Sequence, residues 1–258
     1  LLSIRTLEKI SILIKAIKII KNWHVFVNLY FHKIKSEYVT LELRNGIEIK
    51  LRTNSTDLMA FTNVWLVEEY RKPGFEIRNN DVVIDIGAHI GLFALYASQF
   101  CRSGKIYCFE PIKENFDMLK MNIELNRITN IIATNIAVSS DDGIVTMYLN
   151  DDQSGHSMHT ISSRKIEVKS ISLKSIFDSN HIECCNFMKL DCEGEEYSIM
   201  NALPDSYYAK VKKICMEYHL ADIKQKSFDQ LIDRFQSFTF IITQTKASAS
   251  MGLLYAYI

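Results

Sequence analysis

The chain has 258 residues, 48% of them hydrophobic, with 30 basic side chains against 30 acidic ones. That length and apolar content suit one large α/β domain with an extension, and a net charge of zero excludes a protein that holds DNA or RNA through its overall field. The six cysteines (Cys101, Cys108, Cys184, Cys185, Cys192, Cys215) form no C-x-x-C pair, and His181 beside Cys184 does not complete a zinc site, so they read as reduced side chains of a cytoplasmic protein without a metal centre.

From Leu7 to Phe31 the chain is apolar but interrupted by Lys15, Lys18 and Lys21. It is too charged for a bilayer span and lacks the cleavage site of a signal peptide. An amphipathic helix or helix pair is predicted, either a cap on the domain or a peripheral membrane contact through its basic residues with Trp23 and Phe26. Residues 1–36 are thus set apart as a helical extension, residues 37–75 as a hairpin and helix leading into the core, and residues 76–258 as the main domain. Two alternating runs, Tyr38 to Leu43 and Ile47 to Leu51, flank Asn45-Gly46 and predict the hairpin. Next, Thr53, Asn54, Ser55, Thr56 and Asp57 form a polar loop before a helix from Leu58 to Tyr70. Thr53, Ser55 and Asp57 are candidates to close over a ligand, although a helix cap explains such residues equally well.

Val82 to Ile86 reads as a buried strand, Gly87 to Gly91 as a glycine turn, and Leu92 to Ala97 as the start of a helix. Such a turn presents backbone N–H groups at a helix N-terminus, with Asp85 at the strand's carboxyl end. The strand Lys105 to Phe109 then delivers Glu110 about twenty residues on, the separation at which such folds place an acid on ribose hydroxyls. The pair reads as an adenosine pocket. Asp85 stands where a dinucleotide fingerprint would carry its first glycine, and a carboxylate there would repel a pyrophosphate. It suits a cationic ligand, S-adenosylmethionine rather than NAD.

A helix (Lys113 to Asn126) and a strand (Ile131 to Asn135) follow, with Ala137 placed to lie against an adenine. Further strands, Ile144 to Leu149 and Ile166 to Ser170, flank a polar segment whose His156 is a candidate for an acceptor side. Asn186 to Asp191 is another strand ending in an acid, and Glu195 and Glu196 suit the first turn of the next helix through its macrodipole alone. The strand from Lys212 brings Glu217 and His219 to the edge already holding Asp85, Glu110 and Asp191. A helix (Asp222 to Phe235) and two strands, Phe238 to Thr243 and Leu253 to Ile258, close the chain. Alternating strands and helices predict an α/β fold with a parallel sheet and right-handed crossovers.

Val83-Ile84-Asp85-Ile86-Gly87-Ala88-His89-Ile90-Gly91, Phe109-Glu110-Pro111, Met188-Lys189-Leu190-Asp191-Cys192-Glu193-Gly194-Glu195-Glu196 and Glu217-Tyr218-His219, in this order, resemble the FkbM family of S-adenosylmethionine-dependent methyltransferases. The resemblance spans about Thr53 to His219. It implies a Rossmann-like class I methyltransferase fold, with a mostly parallel seven-stranded sheet closed by an antiparallel C-terminal pair. It also implies methyl transfer to oxygen, often on a sugar, a glycan or a glycosylated small molecule. His89 departs from a commoner asparagine, and Glu195, expected to point outward, from an alanine. Asp85, Gly87 and Gly91 are then expected at the methionine end of the cofactor and Glu110 at the ribose hydroxyls, with Ala88, His89, Pro111 and Asp191 also among its contacts and Ala137 at the adenine. His219 is the first candidate for the base, followed by Asp191 and Glu193, of which the two acids could also hold magnesium. The competing readings are an RNA methyltransferase gripping through the basic N-terminus, an NAD-dependent oxidoreductase and a non-catalytic binding module.

Overall fold

The structure, a computed structural model, describes residues 4–149 and 164–258. The candidate His156 lies outside the described residues.

Two helices, α1 (Ile4–Ile19) and α2 (Trp23–Tyr30), precede a hairpin of β1 (Tyr38–Glu42) and β2 (Glu48–Arg52). Alternation puts Leu41, Ile49 and Leu51 inside, and Gly46 at φ 91° makes the turn. The expected helix from Leu58 to Tyr70 takes a different form. Helix α3 (Asp57–Phe61) runs straight into a π-helical turn, Thr62–Val67, ended by Glu68 in the left-handed region at φ 59°. The wider turn accompanies burial of three successive residues, Val64, Trp65 and Leu66, and Trp65 Nε1 donates to the Leu92 carbonyl at 3.2 Å.

The main body follows as β3 (Val82–Ile86), α4 (Leu92–Ser98), β4 (Lys105–Phe109), α5 (Lys113–Leu125), β5 (Ile131–Thr134), β6 (Ala137–Ser139), β7 (Gly143–Leu149) and β8 (Arg164–Ser172). It continues with α6 (Leu173–Ser179), β9 (Phe187–Asp191), α7 (Glu196–Ala202), α8 (Asp205–Tyr208), β10 (Lys213–Tyr218), α9 (Gln225–Ser237), β11 (Ile241–Lys246) and β12 (Gly252–Tyr257). Seven strands form one sheet in the order β11-β12-β10-β9-β3-β4-β5, parallel except where β12 pairs antiparallel with β10 and β11. Strand β6 was not anticipated. It joins β8 and β7 in a separate small sheet, so Ala137, expected just past the end of the preceding strand, opens a strand of its own.

The sheet separates two hydrophobic cores. On one face Val83, Ile106, Phe187 and Cys215 pack with α4, the hairpin, and Ala16, Ile20, Phe26 and Leu29 of the N-terminal helices. On the other, Ile84, Met188, Leu190 and Ile214 pack with residues of α6, α7 and α9. Strand β3 is followed in sequence by β4 on one side and flanked in space by β9 on the other. That reversal of order opens a crevice beyond the carboxyl ends of the two central strands, where open α/β sheets bind ligands.

Candidate active site

A cavity of about 330 Å³ lies at that crevice, within the size range of small-molecule sites. Gly87, Ala88 and His89 from the turn after β3 line it, as do Glu110, Pro111 and Ala137 beyond β4 and β5. Asp191 at the tip of β9, Glu193 just beyond it, and Glu217 and His219 at the end of β10 also line it.

Backbone geometry holds the turn. Gly87 N and Ala88 N both donate to the Phe109 carbonyl at 3.0 Å, tying the turn to the end of β4. Gly87 stands at φ 72°, and a Cβ built there would lie 1.9 Å from the Asp191 carbonyl oxygen, so only glycine lets β9 pass so close. Gly91 does not line the cavity; it is the N-cap of α4 at φ 87°. His89 takes φ 52°, a region that Asn, Asp and His enter more readily than other side chains, which accommodates its departure from asparagine. Burial pushes the His89 imidazole down to about 4, with Asp57 opposing, so the ring is neutral at pH 7. Its Nε2 therefore accepts from Arg52 Nη2 at 3.2 Å, and its 3.6 Å approach to Asp57 is not an ion pair.

Three expected ligand contacts lie elsewhere. Arg52 donates to Asp57 through Nε at 3.0 Å and Nη2 at 2.7 Å, a buried bidentate pair. Thr53 Oγ1 donates to the Ser36 carbonyl at 2.6 Å, and Ser55 Oγ accepts from Asp57 N at 3.1 Å. None of Thr53, Ser55 and Asp57 is on the cavity wall; Asp57 reaches it only through Arg52 and His89. Asp85 is also absent from the wall. It is fully buried behind it, 3.3 Å from Lys189 Nζ, with burial pushing its carboxyl up and Lys189 pulling it back down.

Lys189 stands in the family-like stretch but has no site role among the expectations. The β3–β9 register sets Asp85 beside Lys189, and alternation along β9 puts Lys189 and Asp191 on the same face. The buried ammonium donates to the Gly87 carbonyl at 2.6 Å and lies 3.6 Å from Asp191. Burial disfavours its charge, but Asp85 and Asp191 outweigh that and raise its pKa. A lysine in the middle of a strand buried on both faces was the signal that could have found it.

Glu110 is buried, its Oε2 accepting from His89 N at 2.8 Å and Oε1 from Ile112 N at 2.9 Å. Burial raises its pKa to about 7, against the pull of those two N–H groups.

At the opposite end, one ligating atom each of Asp191, Glu217 and His219 lies within 4.8 Å of the others. His219 Nδ1 is 3.1 Å from Glu196 Oε1, and its Nε2 is 3.7 Å from Glu193 and 3.8 Å from Glu217. Burial works against the charged imidazole, but hydrogen bonding and attraction from Glu196, with Asp191 and Glu193, raise its pKa to about 10. Glu217 is raised by burial and then by Asp191, and Glu69, on the same wall, is raised by the same two causes to about 7. The helix-start acids also differ from expectation. Glu195 is buried and accepts from Ser139 Oγ at 3.0 Å, because β6 runs alongside it and takes the place of solvent. Glu196 is fully buried, accepting from Cys192 N at 2.8 Å and Gly194 N at 3.0 Å while holding His219. The macrodipole had accounted for Glu196 completely, so no signal in the sequence pointed to that contact.

Strand order, glycine turn and acid-tipped strands together define a Rossmann-like methyltransferase architecture. Residues 85–242 match the Methyltransferase FkbM domain, and the chain belongs to the FkbM methyltransferase family. Among its relatives, the 31-O-demethyl-FK506 methyltransferase FkbM of Streptomyces tacrolimicus is 21% identical over 215 residues, covering 71% of this chain and 82% of that one. The hexuronic acid methyltransferase AglP of Haloferax volcanii is 25% identical over 158 residues, covering 61% and 63%. A solved FkbM methyltransferase from Methylobacillus flagellatus KT superposes with a TM-score of 0.49 at 15% identity, over 78% of this chain and 53% of that one.

Proposed function

We propose that this chain is an O-methyltransferase that moves the methyl group of S-adenosylmethionine to a hydroxyl of a sugar, a glycan or a glycosylated small molecule. One observation carries the reading: a single cavity bears a ribose-type acid, Glu110, at one end and a carboxylate-oriented imidazole, Glu196 with His219, at the other. The names of two relatives support it, one giving an O-demethyl acceptor and the other a hexuronic acid.

The residues fit this cofactor better than NAD. Asp191 and Glu193 line the cavity with Glu217 and Glu69, whose raised pKa values a bound cation would draw back down, while the Lys189 ammonium is engaged by Asp85, Asp191 and the Gly87 carbonyl and the His219 ring by Glu196. Such a wall attracts a sulfonium and an amino group and repels a pyrophosphate. Glu110 would hold the ribose hydroxyls, Ala137 and Pro111 would flank the adenine, and Asp191, in place of the buried Asp85, would face the amino acid end. The bound cofactor supplies an electrophilic methyl carbon. That carbon would be offered to the acceptor hydroxyl, whose proton His219 Nε2 would take as the oxygen is methylated and the sulfonium becomes a thioether. Glu196 takes the Nδ1–H, leaving Nε2 of the neutral ring to face the acceptor, the arrangement of a base oriented by a third group. Asp191 and Glu193 position the acceptor in this reading.

Titration calorimetry with S-adenosylmethionine and its demethylated product tests the proposal. Binding of both is expected, weakened by about 1–3 kcal/mol in Glu110→Ala. Tight binding of NAD with indifference to both S-adenosyl compounds would overturn it.

A further inference from the structure

We propose that α1 is a membrane-surface helix, lying in the headgroup region of an anionic bilayer. Its inner face is committed to the core: Ala16 and Ile20 are fully buried, and Ile12 and Ile19 pack partly against the same cluster. The outer face is also apolar. Leu7, Ile10, Ile14 and Ile17 recur at helical spacing and are 54%, 41%, 48% and 38% exposed, with Leu13 beside them at 38%. Five large aliphatic side chains on the solvent side of one helix are more than scattered surface residues require.

The charges around this stripe select its occupant. At 100° per residue, Lys9 and Lys18 fall on its two flanks, and both are exposed. Lys33 and Lys35 follow, also exposed, and Glu8 is the one acid before Glu37. Two lysines of the segment serve the fold instead: Lys15 Nζ donates to the Leu66 carbonyl and Lys21 pairs with Glu42. An aliphatic row between cations matches acyl chains below anionic headgroups. A second copy packed on the stripe would bring flanking lysines towards each other, and a nucleic acid would leave the aliphatic side chains in water. At 16 residues the helix lies along a surface, since none of the described helices is long and apolar enough to cross a membrane.

Sedimentation of the full chain with vesicles decides the matter, using phosphatidylcholine alone and phosphatidylcholine with one-quarter phosphatidylglycerol. Binding to the anionic vesicles is expected, weakening with added salt. Lys9→Gln and Lys18→Gln should each reduce it about fivefold. Ile10→Asn with Ile14→Asn should reduce it at least about tenfold while leaving circular dichroism and S-adenosylmethionine affinity unchanged. The proposal is overturned by absence of binding to either vesicle, or by full binding of the double-asparagine variant. A vesicle-free dimer abolished by the same substitutions, or RNA retained in place of lipid, would overturn it too.

Discussion

As the proposed base, His219 carries two demands that pull against each other. Accepting a proton requires a neutral ring, yet the carboxylates around it raise its pKa to about 10 and keep it charged at pH 7 in the ligand-free cavity. A bound sulfonium adds positive charge beside it and moves that balance toward the neutral form. The rate of methyl transfer is therefore expected to climb with pH from 7 to about 9. His219→Gln should lower it by about a hundredfold or more and flatten the climb. Stability follows the opposite sign. The raised pKa contributes stability that is fully present below the unfolded value near 6.5 and is lost as pH rises through about 10. Urea titrations at pH 6, 8 and 10 should show that decline, and His219→Gln should reduce it. An unchanged rate profile in the variant would move the base role to Asp191.

Strands β3 and β9 meet at two side-chain-free or buried-charge devices, Gly87 and Lys189. An added methyl at Gly87 meets the backbone of Asp191, which cannot swing aside as a side chain can. Gly46, in the hairpin turn, is also at positive φ but has nothing within 4 Å of an added Cβ. Gly46→Ala should cost about 1–2 kcal/mol, from its φ alone. Gly87→Ala should cost about 3 kcal/mol or more and weaken S-adenosylmethionine binding with it. Thermal melts of both variants with and without cofactor separate the cases. Lys189→Met makes the complementary test: stranding the buried Asp85 carboxylate should cost about 3–5 kcal/mol, partly recovered by adding Asp85→Asn.

Across the whole molecule, residues 4–36 share a core with the chain that follows them. Ile20, Phe26 and Leu29 are buried beside Leu41, Leu43 and Leu66. A chain starting at Glu37 should lose at least about 4 kcal/mol in denaturant titration, at about 1.5–3 kcal/mol for each large apolar side chain uncovered. Much of this architecture was legible in the sequence because its signals are local. Asn45-Gly46 marks a hairpin, and the run from Val82 to Gly91 marks a strand, turn and helix. Glu110, Asp191, Glu217 and His219 were likewise legible as residues at strand ends. What escaped depends on contacts distant in the chain. Asp85 turned from ligand to Lys189 because of strand register, Glu195 turned inward because β6 lies against it, and Asp57 was taken by Arg52. The π-helical turn, at six residues, is too short for its period to repeat and be recognised.

That turn also sits on a mechanical line. Lys15 of α1 is fastened to the carbonyl of Leu66, while Asn63 and Val64, less than one turn earlier, form part of the cavity wall. One hydrogen bond and two or three residues of backbone thus separate the N-terminal helix from the cavity wall.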